Sequence, residues 1–397
     1  MKILFLSRWF PYPPDNGSKI RIFNLIKHLS MSHEVRLISF ATEPIANQEL
    51  DAVCKYCYQV DVVRYRSFKS NRVKALLGFF CWQPRSVIDT FSEEIDQLVK
   101  QAVDREGCEV VIASQIDMAP YATRLSKIKI FEEIELTTIY EQFAQQSQIF
   151  KKLRGGLTWW KLSHYTARLL QSFDAGTVVS EAERGRVLAV SPHFQSIVVI
   201  PNGVDTTYYR GNFGLPEVDT LIYSGALTYH ANFDAVDYFL SQIFPLIQAK
   251  RPQVKLSITG KLDGVPIERL PKSRNGEINF TGYLNDIRPA LAQSWINIVP
   301  LRVGGGTRLK ILESLAIGTP VVTTGKGAEG LDLIPGHDLL VADTPTDFAM
   351  AVLHLLQDVA LRESLSRNGR QTVEAKYDWQ TIGQSFNDFI EKVVGGK

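Results

Sequence analysis

The sequence predicts an α/β protein of two Rossmann-like, doubly wound domains. Three observations lead there. The chain has 397 residues, and single cores stop growing beyond about 250–300. Strand-like and helix-like runs alternate through both halves, the mark of parallel sheets whose faces are covered by helices. The alternation breaks near 203–218, where "GVDTTYYRGNFGLPEV" reads as a linker.

The first series opens with "KILFLS" (2–7), an apolar run short enough to be a buried strand. The Pro- and Gly-containing "WFPYPPDNG" follows as a loop. "SKIRIFNLIKHLS" (18–30) then has helical period, with Ile22, Leu25, Ile26 and Leu29 on one stripe. "EVRLISF" (34–40), "CEVVIAS" (108–114), "AGTVVS" (175–180) and "SIVVIPNGVD" (196–205) supply further strands, the last ending in a Pro-Asn-Gly turn. The second series begins at "TLIYSGAL" (220–227) and continues with a helix near 231–249. "VKLSITG" (254–260), "INFTGYL" (278–284), "INIVPL" (296–301) and "PVVTT" (320–324) follow as strands. In such sheets ligands bind at the carboxyl ends of the strands.

Composition narrows the function. With 44 Lys and Arg against 42 Asp and Glu, nothing marks a nucleic-acid binder. Four cysteines make no disulfide framework at this length, and the lone C-x-x-C of Cys54 and Cys57 reads as structural. The apolar run at the start is too short for a signal peptide and reads as a first strand. No stretch of about 18 apolar residues is present, so no transmembrane helix and a cytoplasmic location are expected.

The most informative stretch is "LRVGGGTRLKILESLAIG" (301–318). Gly304, Gly305 and Gly306 allow close backbone approach. Thr307 reads as an N-cap, "RLKILESLA" as a helix and Gly318 as its stop. A glycine-rich loop running into a helix N-terminus is an anion site. Lys310 and Glu313 share a face of that helix. They offer a cation for phosphate and a carboxylate for hydroxyls, a combination that suggests a sugar nucleotide.

Two segments stand apart. In "KKLRGGLTWWKLSHYTARLLQ" (151–171), Lys151, Lys152, Arg154, Lys161 and Arg168 accompany Trp159, Trp160 and Tyr165. Cations with interfacial aromatics suit an anionic membrane surface; the plain alternative is an ordinary helix with a solvated basic side. "RVKALLGFFCWQP" (72–84) is a second basic-apolar stretch, read as a lipid- or acceptor-facing element or as a core helix.

Together the pieces resemble a GT-B glycosyltransferase of the retaining family 4, and within it bacterial exopolysaccharide-associated sugar transferases. The resemblance covers nearly the whole chain. It rests on "PPDNGSKIR", "TVVSEAER", "VIPNGVD", "SGALTYHANFDAV", "FTGYLNDIRPALAQS", "PLRVGGGTRLKILESLAIGTPVVTT" and "GAEGL". It implies two Rossmann-like domains facing a central cleft. Residues 1–205 would form an acceptor-binding domain and 206–375 a nucleotide-sugar domain, while 376–397, containing "YDWQTIGQSFNDFIEKVV", would be a helix packing back on the first domain.

The resemblance also implies site residues. Glu313 falls where the family's second motif Glu holds the nucleotide ribose. The position of the first, which contacts the transferred sugar, is Gly305 here. Backbone amides of Gly305, Gly306 and Thr307 are the expected replacement. The family's Arg and Lys after the first strand of the second domain are missing from "GALTYHANFD", so Lys310 and Arg308 are expected to meet the diphosphate. Gly17, Gly225, Gly304 and the backbone at Tyr283 complete the expected donor contacts, with Tyr283 at the base. Asp15, Asn16 and Gln115 are assigned to the acceptor side. Many relatives carry a His near the strand end that here reads Ser114, Gln115 and Asp117.

The seven histidines show no metal-ligand spacing. No metal or other cofactor is expected beyond a nucleotide-diphosphate sugar as donor. The acceptor would be a glycan or a polyprenyl-linked molecule. The expected chemistry is a same-face displacement in which the leaving diphosphate takes the acceptor's proton and the protein positions and stabilises charge. The alternatives are a UDP-sugar 2-epimerase of the same fold and a non-catalytic scaffold that binds sugar nucleotides.

Overall fold

The computed structural model describes residues 1–73, 78, 81–144, 148–271 and 277–396. The basic-apolar stretch 72–84 therefore lies partly outside the described residues, at 74–77, 79 and 80. The chain divides into two compact units, Met1–Asn202 with Ile382–Lys397, and Gly203–Thr381.

The sheet of the first unit contains β1 (Lys2–Ser7), β2 (Glu34–Ala41), β3 (Gln59–Arg64), β4 (Val110–Ser114), β5 (Ile128–Glu132), β6 (Ala175–Val178) and β7 (Ile197–Val199). Its order is β3-β2-β1-β4-β5-β6-β7, all parallel. Successive side chains of a strand point to opposite faces, and Ile3, Leu4, Phe5 and Leu6 are all fully buried. Both faces of β1 are therefore covered, which is why its sequence is apolar without alternation. The order reverses between β1 and β4, so the carboxyl ends of these two strands open the topological switch.

The second unit repeats the plan with β8 (Thr220–Ser224), β9 (Lys255–Thr259), β10 (Ile278–Gly282), β11 (Ile296–Val299), β12 (Val321–Thr323) and β13 (Leu340–Val341). Their parallel order is β10-β9-β8-β11-β12-β13. The switch lies between β8 and β11. Gly225 follows β8 directly and the glycine run 304–306 lies in the loop after β11, so both stand at the edge where ligands bind. The helix expected near 231–249 is real but interrupted. His230–Tyr238 and Phe244–Lys250 are α-helical, and one wide π turn, Phe239–Ile243, joins them. Pro245 sits in the first turn of the second piece. It has no N–H for the regular ladder, so the backbone widens before it.

The last helix, Trp379–Gly395, starts in the second unit and continues in the first. Ile382, Phe386 and Ile390 are buried along one side. Asn387 donates to the His28 carbonyl at 3.3 Å. Among the described residues no helix is long and apolar enough to cross a membrane.

A buried ion pair organises the first unit. Arg21, on the helix Gly17–Leu29, and Glu132, the last residue of β5, are both fully buried, with Nε and Oε1 2.6 Å apart. The same guanidinium donates to the carbonyls of Ile200 and Pro201 and to Asn202 Oδ1. It thus ties the first helix, the β5 end and the chain leaving β7 together. Three strands escaped the sequence reading. In β3 "QVDVVR" and β5 "IKIFE" polar residues interrupt the apolar run; Glu132 is tolerated inside because Arg21 is there. β13 has only two residues.

Candidate functional site

In the second unit the helix of the glycine motif spans Leu309–Ile317 and ends on Gly318 in the left-handed conformation (φ +92°). Its N-cap is Arg308, without a side-chain cap bond. Thr307 is therefore not the cap: it lies one residue outside, where its carbonyl accepts from Leu309 N at 3.1 Å. The reason is the Arg308 side chain. Its guanidinium is folded back into the loop, donating to the carbonyls of Gly304 (2.7 Å), Gly305 and Gly306 (2.9 Å). Gly304 and Gly306 take φ values of +109° and +78°, which suit glycine alone at low cost. Arg308 is 8% exposed and shapes the loop from inside.

Two residues on, Lys310 leaves the helix toward the β8 end. Its Nζ donates to Tyr223 Oη at 3.0 Å and to Asn232 Oδ1 at 2.9 Å, and lies 4.3 Å from the Tyr223 ring centre. Tyr223 Oη also donates to Asn232 Oδ1, at 2.8 Å. Burial, helped by the positive charge of Arg308 and opposed by Glu313, lowers the ammonium to about 7. Gly225, at φ +151°, passes beside this amine. A Cβ there would fall 2.6 Å from Nζ, so only glycine leaves the amine its place.

Glu313 is held on the same helix face. Burial raises its carboxyl, while a hydrogen bond from the Tyr209 hydroxyl and the Lys310 charge favour the ionised form. Tyr283 follows β10 directly and is 63% exposed, with Lys261 Nζ 5.7 Å from its ring centre. The structure thus gathers Gly225, Gly304–Gly306, Arg308, Lys310 and Glu313 around one end of the second sheet. The arrangement offers a partly desolvated cation beside a carboxylate, next to a backbone-rich loop. That set suits a phosphate joined to a hydroxylated group.

The first unit places its residues differently. Asn16 is the N-cap of the helix that begins at Gly17, its Oδ1 accepting from Lys19 N at 3.1 Å. Asn16 Nδ2 donates to Asp15 Oδ1, and Asp15 pairs with Lys19 at 3.1 Å. Gln115 stands just past β4 with φ +69°. Its Nε2 donates to Glu133 Oε2 at 2.8 Å and to Ser18 Oγ at 3.3 Å. Glu133, just past β5, also has a positive φ, +55°. Two non-glycine residues in this region at one sheet edge store backbone strain, about 1–3 kcal/mol each. Burial and the neighbouring Glu132 charge raise Glu133 to about 7, against the pull of Arg21 and Gln115. The C-x-x-C pair is unremarkable: Cys57 is buried and its thiol is pushed up to about 12 by that burial.

Several members of these clusters were not singled out from sequence. Tyr209 lies in a turn, Tyr223 on β8 and Asn232 on the helix His230–Tyr238, and none of the three was assigned to the site from sequence. Glu133 had a readable signal, two adjacent carboxylates at the end of an apolar run in "KIFEE".

The Lys310 environment has a measurable cost. In the unfolded chain a lysine titrates near 10.4; in the native protein Lys310 titrates near 7. Between those values the unfolded state holds more protons, so native stability rises with pH across that window. Lys310→Met, which keeps the length and removes the charge, is expected to stabilise the unliganded protein most at pH 7 and below. The gain should shrink by up to about 1.4 kcal/mol per pH unit above that. Urea unfolding at pH 6.5 and 9.5 checks this. A stability difference that does not change with pH contradicts it.

Comparison with known proteins bears on the fold. Residues 218–358 match the family model of glycosyl transferases group 1. An uncharacterised 44.6 kDa protein in the cps region of Klebsiella pneumoniae is 22% identical over 97% of this chain and 98% of its own length. Among solved structures, sucrose-phosphate synthase from Thermosynechococcus elongatus superposes with a TM-score of 0.70 at 15% identity, covering 100% of both chains. Anabaena HepE, solved in complex with UDP and glucose, gives a TM-score of 0.66 at 16% identity, covering 99% of this chain and 100% of its own. The chain has the GT-B fold, and its residues 218–358 resemble the glycosyl transferases group 1.

Proposed function

We propose that this protein transfers a sugar, with retention, from a nucleoside-diphosphate sugar to a glycan or lipid-linked acceptor in cell-surface polysaccharide synthesis. The observation that carries the reading is the cation–carboxylate pair of Lys310 and Glu313 beside the Arg308-braced glycine loop. The similarity to the cps-region protein supports the polysaccharide setting. The UDP bound in Anabaena HepE supports a nucleotide donor.

In this reading the donor diphosphate meets Lys310 and recharges it. The bond from the sugar's anomeric carbon to the phosphate oxygen breaks, a new bond forms to the acceptor oxygen, and the acceptor proton passes to the departing diphosphate. Lys310 stabilises the charge that develops on the leaving group; one well-placed donor of this kind is worth about 3 kcal/mol in the transition state. Arg308 acts through the loop whose carbonyls it holds. Glu313 receives the ribose hydroxyls, and Tyr283 stands at the base. Gly17 contacts the donor, and Asp15, Asn16 and Gln115 serve the acceptor side or the sugar. The chemistry needs no resident metal in this reading.

The protein also works against a membrane in this reading. On the helix Ile149–Leu170, the apolar residues Ile149, Phe150, Leu153, Leu157 and Trp160 are exposed. Lys151, Lys152 and Arg154 are exposed among them. Trp159 turns inward instead, edge-on to Tyr140. Near an anionic leaflet each cation contributes about 1 kcal/mol.

Two experiments test these readings. Glu313→Ala should weaken binding of the preferred nucleoside diphosphate by about 1.5–3 kcal/mol, read by calorimetry across UDP, GDP, ADP and TDP. Unchanged affinity removes Glu313 from the site. Replacing Lys151, Lys152 and Arg154 by Glu should release the protein from anionic vesicles in flotation while nucleotide affinity stays. A native protein that ignores such vesicles at low salt overturns the membrane reading.

A further inference from the structure

The first unit contains a cavity of about 1180 Å³ that none of the residues above explains. Small-molecule pockets are typically about 300–1,000 Å³, so this one has room for more than a sugar. Its walls are largely apolar and aromatic. Val87, Ile88 and Leu169 contribute, and Phe91 stacks on Tyr121 at 4.9 Å. At one side Trp82 lines it and packs on Trp160 at 5.5 Å, while His164, another lining residue, packs on Trp160 at 4.7 Å. Through these two rings the cavity wall touches Trp160 of the exposed apolar stripe on the Ile149–Leu170 helix.

Its charge is one-sided. Arg124 and Arg168 both line it, are exposed, and make no ion pair among the described residues. The one lining carboxylate, Asp96, is already paired with Lys100 at 2.6 Å. A second observation points to a ligand. Tyr165 lines the cavity, is 7% exposed, and its hydroxyl has no hydrogen-bond partner among the described residues. Burial raises this phenol, so it stays protonated and can donate. An orphaned buried hydroxyl costs about 1–3 kcal/mol, a cost that a bound acceptor atom removes.

We propose that this cavity binds a phosphate carried on a single long apolar chain. The chain lies against Val87, Ile88, Phe91 and Leu169, and the phosphate is met by Arg124, Arg168 and the Tyr165 hydroxyl. That this amphiphile is the acceptor rests on the glycosyltransferase reading; that it binds here does not.

The test is calorimetry on the full-length protein with decyl phosphate below its micelle concentration. Decyl maltoside, inorganic phosphate and dihexanoyl phosphatidic acid are the controls. Decyl phosphate should bind once per chain, at least about tenfold more tightly than each control. Arg124→Gln with Arg168→Gln should weaken it about tenfold, and Ser172→Trp, which places a bulky ring on the cavity wall, should abolish it. Should Ser172→Trp fold poorly, Tyr165→Phe keeps the shape and should lower affinity several-fold. Nucleoside-diphosphate affinity, measured on the same samples, should not change. A protein that binds nucleotide but takes decyl phosphate no better than decyl maltoside, or indifferently to these substitutions, overturns the cavity assignment alone. Tighter binding of dihexanoyl phosphatidic acid assigns the cavity to bulk membrane lipid and overturns the single-chain carrier.

Discussion

One guanidinium sets the shape of the glycine loop on which the candidate site depends. Arg308 binds the carbonyls of three consecutive glycines, and so a loop with almost no side chains of its own acquires a fixed path. A triple glycine otherwise has the largest conformational entropy to lose. With the loop braced from within, Gly306 keeps open space where a Cβ would stand. The same residue contributes electrostatically, because its charge helps to hold the neighbouring Lys310 amine near neutrality. Two cations are thus coupled two positions apart.

The two units solve one problem in two ways. Each places its polar residues at the switch of a parallel sheet, where strand ends diverge and leave a crevice. In the second unit these are a carboxylate and an amine on one helix. In the first they are strained residues at consecutive strand ends: Gln115 and Glu133 hold positive φ and bond to each other. Below them the Arg21–Glu132 pair is sealed from water. Buried pairs of this kind are weak contributors to net stability, so its geometric work, joining the first helix to β5 and to the chain leaving β7, is the better account of its presence.

Much of this was legible in the sequence. The apolar runs of β1, β8 and β11 stood out because buried parallel strands need no alternation. Glu313 and Lys310 were legible because three-residue spacing on a helix places side chains on one face. What stayed hidden depends on partners far away in the chain. β5 was masked by Lys129 and by Glu132, whose burial makes sense only once Arg21, 111 positions earlier, is placed. The N-cap at Thr307 was a sound local inference that lost to the Arg308 side chain folding back. Tyr209 carries no signal until Glu313 reaches it, and Asn232, inside "SGALTYHANFDAV", gains its role only from the Lys310 amine that it meets.

The central claim is that a diphosphate meets the half-neutral amine of Lys310. It is tested most directly by counting protons taken up on binding. Calorimetric titration of the preferred nucleoside diphosphate at pH 8, in buffers of different ionisation enthalpy, gives that number. An amine near 7 in the free protein is mostly neutral at pH 8, and an arriving diphosphate raises its affinity for a proton. The account predicts net uptake approaching one proton in the native protein, lost in Lys310→Met. Binding with no proton uptake, or with the same uptake in both proteins, would contradict it.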